Sequence, residues 1–247
     1  MKTKRIVAVI GSPRGTESSC YKVVRRLCEK LRDLNQDIEE KIIQLSEYEL
    51  GMCKGCTSCF IRCDTCNQYD DGIEQIEKEL LDADIVIFAS PVYAHSITGT
   101  MKNFIDRISY WLHVFKLTGK YGLVVSSSNS NGNRFVDDYL SKMMEFMGIS
   151  VMGSIDHTNI DPNMEEKIEA AAKNVAFYLE NDRTILNYES KNKVFQVYKA
   201  AYKNEYDRRV KIPNAPFTKE ILYWKEKGFF ECDSFQELYD LTTISKG

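Results

Sequence analysis

Ile6-Val7-Ala8-Val9-Ile10-Gly11-Ser12-Pro13-Arg14-Gly15-Thr16-Glu17-Ser18-Ser19 is the stretch whose reading decides the fold. Five apolar residues stop abruptly at Gly11. Hydroxyl residues follow, and then apolar positions at helical spacing: Val23, Val24, Leu27, Cys28 and Leu31. A short unbroken apolar run bounded by turn residues predicts a strand buried on both faces, as in a parallel sheet. The order is strand, loop, helix. A loop at a helix N-terminus offers free backbone N–H groups and the positive end of the helix dipole, which suits a phosphate. Ser12, Thr16, Ser18 and Ser19 add hydroxyl donors, and Arg14 adds a permanent positive charge. The same loop also reads as an N-capped connection that binds nothing, and alone it leaves both readings open. Pro13 breaks the G-x-G-x-x-G pattern, and no Gly-Lys-Ser/Thr follows. A dinucleotide or ATP site is therefore disfavoured, and a single phosphate monoester fits better.

The strand–loop–helix unit repeats. Residues 37–43, 84–89, 121–125 and 149–155 read as further strands, the first of them polar at its start and near an edge. Helices are expected over 72–81, around Met101, Phe104, Ile105 and Ile108, over 135–147, and over 164–179. Such alternation predicts an α/β, doubly wound parallel sheet. Right-handed crossovers bring all strand C-termini to one edge, where ligands bind in such sheets. The loops 11–19, 90–98 and 126–133 all fall there, and all are small and polar.

The chain has 247 residues, 43% hydrophobic and 28% charged, so one globular domain with an appendage is expected. A net charge of -3 gives no electrostatic footprint for nucleic acid. No apolar run reaches the roughly 20 residues that span a bilayer. The basic start Met1-Lys2-Thr3-Lys4-Arg5 leads into only five apolar residues and a turn, which does not read as a signal peptide. A cytoplasmic location is the expectation.

Gly11-Ser12-Pro13-Arg14, Ser90-Pro91-Val92-Tyr93 and Met101-Lys102-Asn103-Phe104-Ile105-Asp106-Arg107 together resemble the flavodoxin-like NAD(P)H-dependent FMN reductases. The resemblance covers about residues 4 to 180 and is strongest to the branch that includes the iron–sulfur flavoproteins. It implies a five-stranded parallel sheet in order 2-1-3-4-5, FMN as cofactor and NAD(P)H as transient co-substrate. It also implies a small electron acceptor (a quinone, flavin, nitro compound or metal ion) and a homodimer or higher oligomer. By position, Ser12, Arg14, Ser18 and Ser19 would hold the FMN phosphate. Pro91, Val92 and Tyr93 would lie against the isoalloxazine ring with Ser96 nearby. Ser126 and Ser127 would open the loop that closes the pyrimidine side, where the family usually carries glycines. No catalytic side chain is expected, because the flavin carries the chemistry. His95 follows the Pro-Val-Tyr turn and is read either as facing the ligand or as a solvent-facing loop residue. Lys102 and Asp106 are spaced to pair along their helix, and Arg107 is read as structural.

Five of the eight cysteines fall within fourteen residues: Cys53, Cys56, Cys59, Cys63 and Cys66. Such crowding argues for metal, redox chemistry or loop packing in a reducing compartment. The first four match a ferredoxin spacing, except that Asp64 stands where Pro normally follows. In the iron–sulfur flavoproteins a compact C-x2-C-x2-C is followed by a more distant fourth cysteine. That pattern implies Cys53, Cys56, Cys59 and Cys66 as ligands of a 4Fe–4S cluster. Zinc and free or packed thiols are the other open readings. With such a cluster the protein would be an electron carrier rather than a reductase. Cys20, Cys28 and Cys232 read as small buried hydrophobes. The domain boundaries expected are 1–182 for the FMN-binding core and 183–247 for a helical C-terminal extension. The extension is too aromatic for disorder, and two or three helices broken around residues 211–217 are expected to pack on the core or on a second subunit.

Overall fold

The computed structural model describes residues 3–34, 36–62, 66–68, 70–180 and 184–244. Strand β1 (Lys4–Ile10) leads to helix α1 (Ser19–Asp33) and strand β2 (Ile38–Gln44). The cysteine loop follows, with one short helix, α2 (Ser58–Arg62), and then α3 (Ile73–Asp82). The remaining core is β3 (Ile85–Pro91), α4 (Gly99–Arg107), β4 (Tyr121–Ser128), α5 (Asn133–Phe146), β5 (Ser150–Thr158) and α6 (Met164–Glu180). Three helices close the chain: α7 (Tyr188–Val210), α8 (Lys219–Glu226) and α9 (Phe235–Ile244). The five strands pair in parallel in the order β2-β1-β3-β4-β5. The fold is therefore the doubly wound parallel sheet that the sequence pattern predicts, in the flavodoxin-like strand order that the resemblance implies.

Alternation along β1 explains its unbroken apolar run. Val7 and Val9 pack into one core with α3, α4 and α5. Ile6, Ala8 and Ile10 pack into a second core with α1 and α6. Both faces are covered, so neither set of residues can be polar. The predicted helical face of α1 is the buried one: Val23, Val24, Leu27, Cys28 and Leu31, with Cys20 beside them.

Strands run on past their expected ends: β3 continues to Pro91 rather than Ala89, with Ser90 and Pro91 paired to Ser126 and Ser127. β4 was expected to stop at Val125, but it runs on through Ser126, Ser127 and Ser128, which pair with Asp156, His157 and Thr158 of β5. β5 itself extends to Thr158 rather than Ile155. Polar residues end a core run in the sequence, yet the backbone ladder continues because the serine side chains find amide and thiol partners in Asn133 and Cys20. The expected helix starting at Phe135 begins two residues earlier, at Asn133.

The C-terminal helices carry a third apolar cluster. Phe195, Ile221, Trp224, Phe229, Phe230, Phe235 and Leu238 surround Val114 and Phe115, which belong to the segment between α4 and β4. Phe195 and Trp224 stack with ring centroids 5.7 Å apart. His113 joins this cluster to the cysteine loop. Its ring lies 4.8 Å from Phe60 of α2, and its Nδ1 lies 2.8 Å from Glu220 of α8 and 3.0 Å from Tyr202 of α7. Among the described residues no helix is long and apolar enough to cross a membrane.

Candidate active site: a three-loop cleft and a cysteine cavity

The C-terminal ends of β1, β3 and β4 enclose a cleft of about 300 Å³. Its walls are Ser12, Arg14, Ser18 and Ser19 from the first loop, Pro91, Val92 and Tyr93 from the second, and Ser127, Ser128 and Asn129 from the third. Asn159, just beyond β5, completes them. None of these residues is acidic. Gly11 is required where the first loop leaves β1. A Cβ there would lie 2.5 Å from Met101 Cβ and 3.0 Å from Thr98 Oγ1. Thr98 caps α4 by accepting from the Met101 N–H, and its hydroxyl donates to the Gly11 carbonyl at 2.6 Å. One side chain thus ties the second loop to the first.

The first loop is built to receive an anion. Ser18 is the N-cap residue of α1 but makes no side-chain cap hydrogen bond. Ser12 and Ser18 are buried, and Ser12 Oγ accepts from the Arg14 N–H at 3.3 Å. Arg14 is exposed, and among the described residues no carboxylate pairs with it. An uncapped helix start, buried hydroxyls and an unpaired cation suit a phosphate monoester. Beneath the loop, the Cys20 thiol sits 3.1 Å from Ser127 Oγ, and burial pushes it up to about 11, so it stays a neutral packed group.

The second loop is a tight turn. Tyr93 and Ser96 exchange backbone hydrogen bonds of 2.9 and 3.0 Å, and Ala94 and His95 both have left-handed φ, at 50° and 57°. Two non-glycine residues in that region cost energy, which marks the turn as held by its surroundings. Tyr93 is half exposed at the cleft wall. His95 is exposed, its ring 5.6 Å from Phe135. Gly132 (φ +92°) lies under this turn, where a Cβ would meet Val92 Cγ1 at 2.7 Å.

Nine of the ten residues singled out in the sequence come to the cleft or its floor. Ser12, Arg14, Ser18, Ser19, Pro91, Val92, Tyr93 and Ser127 line it. Ser126 is fully buried and accepts from Asn133 Nδ2 at 3.0 Å, beneath the third loop. Ser96 lies off the cleft, closing the turn with its backbone. Ser128 and Asn129 belong to the third loop expected at this edge; sequence reading missed Asn159 and Asn133 as individual residues. Asn159 had a usable signal, since it follows the fifth strand at the same sheet edge as the other three loops.

A second cavity of about 350 Å³ lies in the cysteine loop, lined by Cys53, Cys56, Cys59, Cys66, Phe60 and Arg107 among others. Cys63 lies outside the described residues. Arg107 has no exposed side-chain surface. It donates from Nε to Cys66 Sγ at 3.1 Å, and from Nη1 to the Gly51 carbonyl at 2.7 Å and to Asp71 Oδ2 at 2.6 Å. Asn103 accepts from the Cys53 N–H at 2.9 Å and donates to the Gly51 carbonyl at 3.2 Å. The segment from Met101 to Arg107 therefore holds the cysteine loop from below, while Lys102 and Asp106 pair at 2.6 Å on the surface. Burial, and then the neighbouring Cys66, push the Cys59 thiol up to about 11. The Ser58 N–H and hydroxyl hold the exposed Cys56 thiol below its usual range. Among the described residues no three His, Cys, Asp or Glu side chains come together to hold one metal ion.

Residues 4–158 match the family model described as NADPH-dependent FMN reductase. An iron–sulfur flavoprotein of Archaeoglobus fulgidus is 29% identical over 150 residues, covering 60% of this chain and 66% of the relative. An iron–sulfur flavoprotein of Clostridioides difficile is 26% identical over 183 residues, covering 72% and 80%. Among solved structures, an apo NADH:FMN oxidoreductase superposes with a TM-score of 0.55 at 22% identity, covering 71% of this chain and 89% of that one. The family match spans more than half of the chain and includes β1 to β5 and all three loops of the cleft, so the protein belongs to the NADPH-dependent FMN reductase family and is an FMN-dependent flavoprotein oxidoreductase.

Proposed function

We propose that the three-loop cleft is the FMN site, and that the protein takes hydride from NAD(P)H and passes electrons to a small acceptor at the cleft mouth. The observation that carries this reading is the acid-free cleft, with an uncapped α1 start at one end and an Arg14 that no carboxylate pairs with among the described residues. Ser12, Arg14, Ser18 and Ser19 would hold the phosphate. Val92 and Tyr93 would offer an apolar wall and a ring edge to the flat flavin. When bound, the flavin supplies both the hydride and the electron-transfer chemistry. The chain's own part is to bind, orient and shield it. Tyr93, Phe135 and Ile160 stay exposed, which supports a homo-oligomer in this reading. A cytoplasmic protein, with residues 183–247 as an extension of the core, completes it.

A second reading is favoured by one observation: Cys53, Cys56, Cys59 and Cys66 all line one cavity. These four residues would hold a 4Fe–4S cluster, and the protein would then pass single electrons onward. Zinc is the other metal that four thiolates suit. An absorbance spectrum of anaerobically purified protein, with iron and sulfide assayed on the same sample, separates the readings. A flavin spectrum without iron supports the reductase alone. Flavin plus broad absorbance, with about four irons per chain, supports the carrier. No flavin at all would refute both.

A further inference from the structure

Arg107 ends α4 with no exposed side-chain surface, and it lines the cysteine cavity. A guanidinium carries five N–H donors in one rigid plane. In this chain each of them has its own acceptor. Nη1 donates to the Gly51 carbonyl at 2.7 Å and to Asp71 Oδ2 at 2.6 Å. Nη2 donates to Asp71 Oδ1 at 3.2 Å and to the Gln68 carbonyl. The fifth donor, Nε–H, is left for Cys66 Sγ at 3.1 Å. Four bonds to oxygen fix the plane, so Nε–H cannot turn from the sulfur without breaking them.

The sulfur of a neutral thiol is a weak acceptor, and a buried cation is poorly served by it. A sulfur that carries negative charge accepts roughly twice as strongly. The donor is thus matched to charge on Cys66, which metal ligation would supply. Burial sharpens the effect. Cys53 and Cys56 are exposed and Cys59 is half-buried, whereas Cys66 is buried. Water screens the first three sulfurs more than it screens Cys66, so the fixed donor acts where the dielectric is lowest.

We propose that Arg107 is a positioning residue that sets the reduction potential of the iron–sulfur cluster through its Nε–H bond to Cys66. This rests on the reading of the four cysteines as cluster ligands. An added electron raises the negative charge on the sulfur ligands, and hydrogen bonds to those sulfurs and the nearby charge set the potential. Arg107 therefore favours the reduced form. Asp71 grips the two terminal nitrogens of the same guanidinium and has the opposite sign, so it partly offsets that preference.

The test is the midpoint potential of the anaerobically purified holoprotein, titrated with dithionite and read by EPR, in wild type and two variants. Arg107→Lys keeps a positive charge but lacks the planar fork. It should lower the potential by about 59 mV, the one-electron equivalent of a tenfold loss in favour of the reduced form. Asp71→Asn removes the opposing charge and should raise the potential by a comparable amount. Both substitutions loosen the same loop, so a merely structural role would move the two potentials in one direction or leave both alone. A measurement on wild type needs neither variant to fold. With heavy-nitrogen arginine incorporated, ENDOR of the reduced cluster should show a magnetic coupling to an arginine nitrogen. Unchanged potentials in iron-loaded variants, shifts of one sign, or no arginine coupling in wild type would overturn this inference alone. Wild-type protein that holds no iron and sulfide would overturn the cluster reading and this inference with it.

Discussion

Removing the phosphate contacts of the first loop should weaken FMN binding by a calculable amount and spare riboflavin. The perturbation is Ser12→Ala with Arg14→Ala. A hydrogen bond to a charged group contributes about 1.5–3 kcal/mol. Arg14 is exposed on the rim, so solvent screening places it at or below the lower end, about 1–1.5 kcal/mol. The Ser12 hydroxyl is buried and shapes the loop through the Arg14 N–H. Its loss costs about 1–1.5 kcal/mol more. The sum, about 2–3 kcal/mol, corresponds to FMN bound roughly 30- to 150-fold more weakly. The first-turn N–H groups of α1 with Ser18 and Ser19 remain, so binding is reduced rather than abolished. Riboflavin lacks the phosphate and should change by less than about threefold. Fluorescence titration of apo-protein with each flavin reads both numbers. Added salt should narrow the FMN gap between wild type and variant, because the Arg14 contribution is screened. FMN affinity unchanged in the double variant, or riboflavin weakened equally, would refute the placement of the phosphate.

Three further outcomes follow from the packing. Gly132→Ala adds a Cβ 2.7 Å from Val92 at a φ of +92°. It should cost about 1–3 kcal/mol in urea unfolding, and should also weaken FMN, because the second and third loops are pushed apart. Burial pushes the Asp71 carboxyl up, but the Arg107 guanidinium and the Gly51 N–H outweigh it and hold the group below the usual carboxylate range. A depressed carboxylate adds stability that is present above its unfolded pKa of about 3.9 and lost as pH falls through the folded value. Asp71→Asn should therefore lose about 3 kcal/mol at neutral pH and show a flatter acid limb below about pH 4 in urea midpoints. Lys191 is buried, donates to the Leu186 carbonyl, and is lowered by burial to about 8. Its unfolded form holds the proton longer, so stability rises with pH from about 8 towards 10.4. Lys191→Met should abolish that rise and add about 2 kcal/mol at neutral pH, measured by the same unfolding curves.

The strands were readable because both sheet faces are covered: β1 can alternate between two cores only if every residue is apolar. The phosphate loop was readable because hydroxyls, Arg14 and a helix start lie together in sequence. Arg107 was read only as structural. Its five hydrogen bonds reach partners 36 to 56 residues away, and nothing local marks an arginine for full burial. Ser126 to Ser128 read as a loop because polar residues end a core run, yet they are strand residues whose hydroxyls are satisfied by tertiary neighbours. Asn133 could not be read from its neighbours in sequence, since its role depends on the His157 carbonyl, 24 residues away. The aromatic tail gave its helices but not its seat. Phe115 and His113 become its anchor only once the α4–β4 connection is folded.

The central claim is that one FMN sits in the three-loop cleft and is reduced there by NAD(P)H. The most direct measurement is anaerobic titration of FMN-loaded protein with NADPH and with NADH, followed by flavin absorbance, with bound FMN quantified per chain. The account predicts one FMN per chain and bleaching of the oxidised flavin band by one or both nucleotides. Protein that takes up no FMN, or holds FMN that neither nucleotide bleaches, would contradict it.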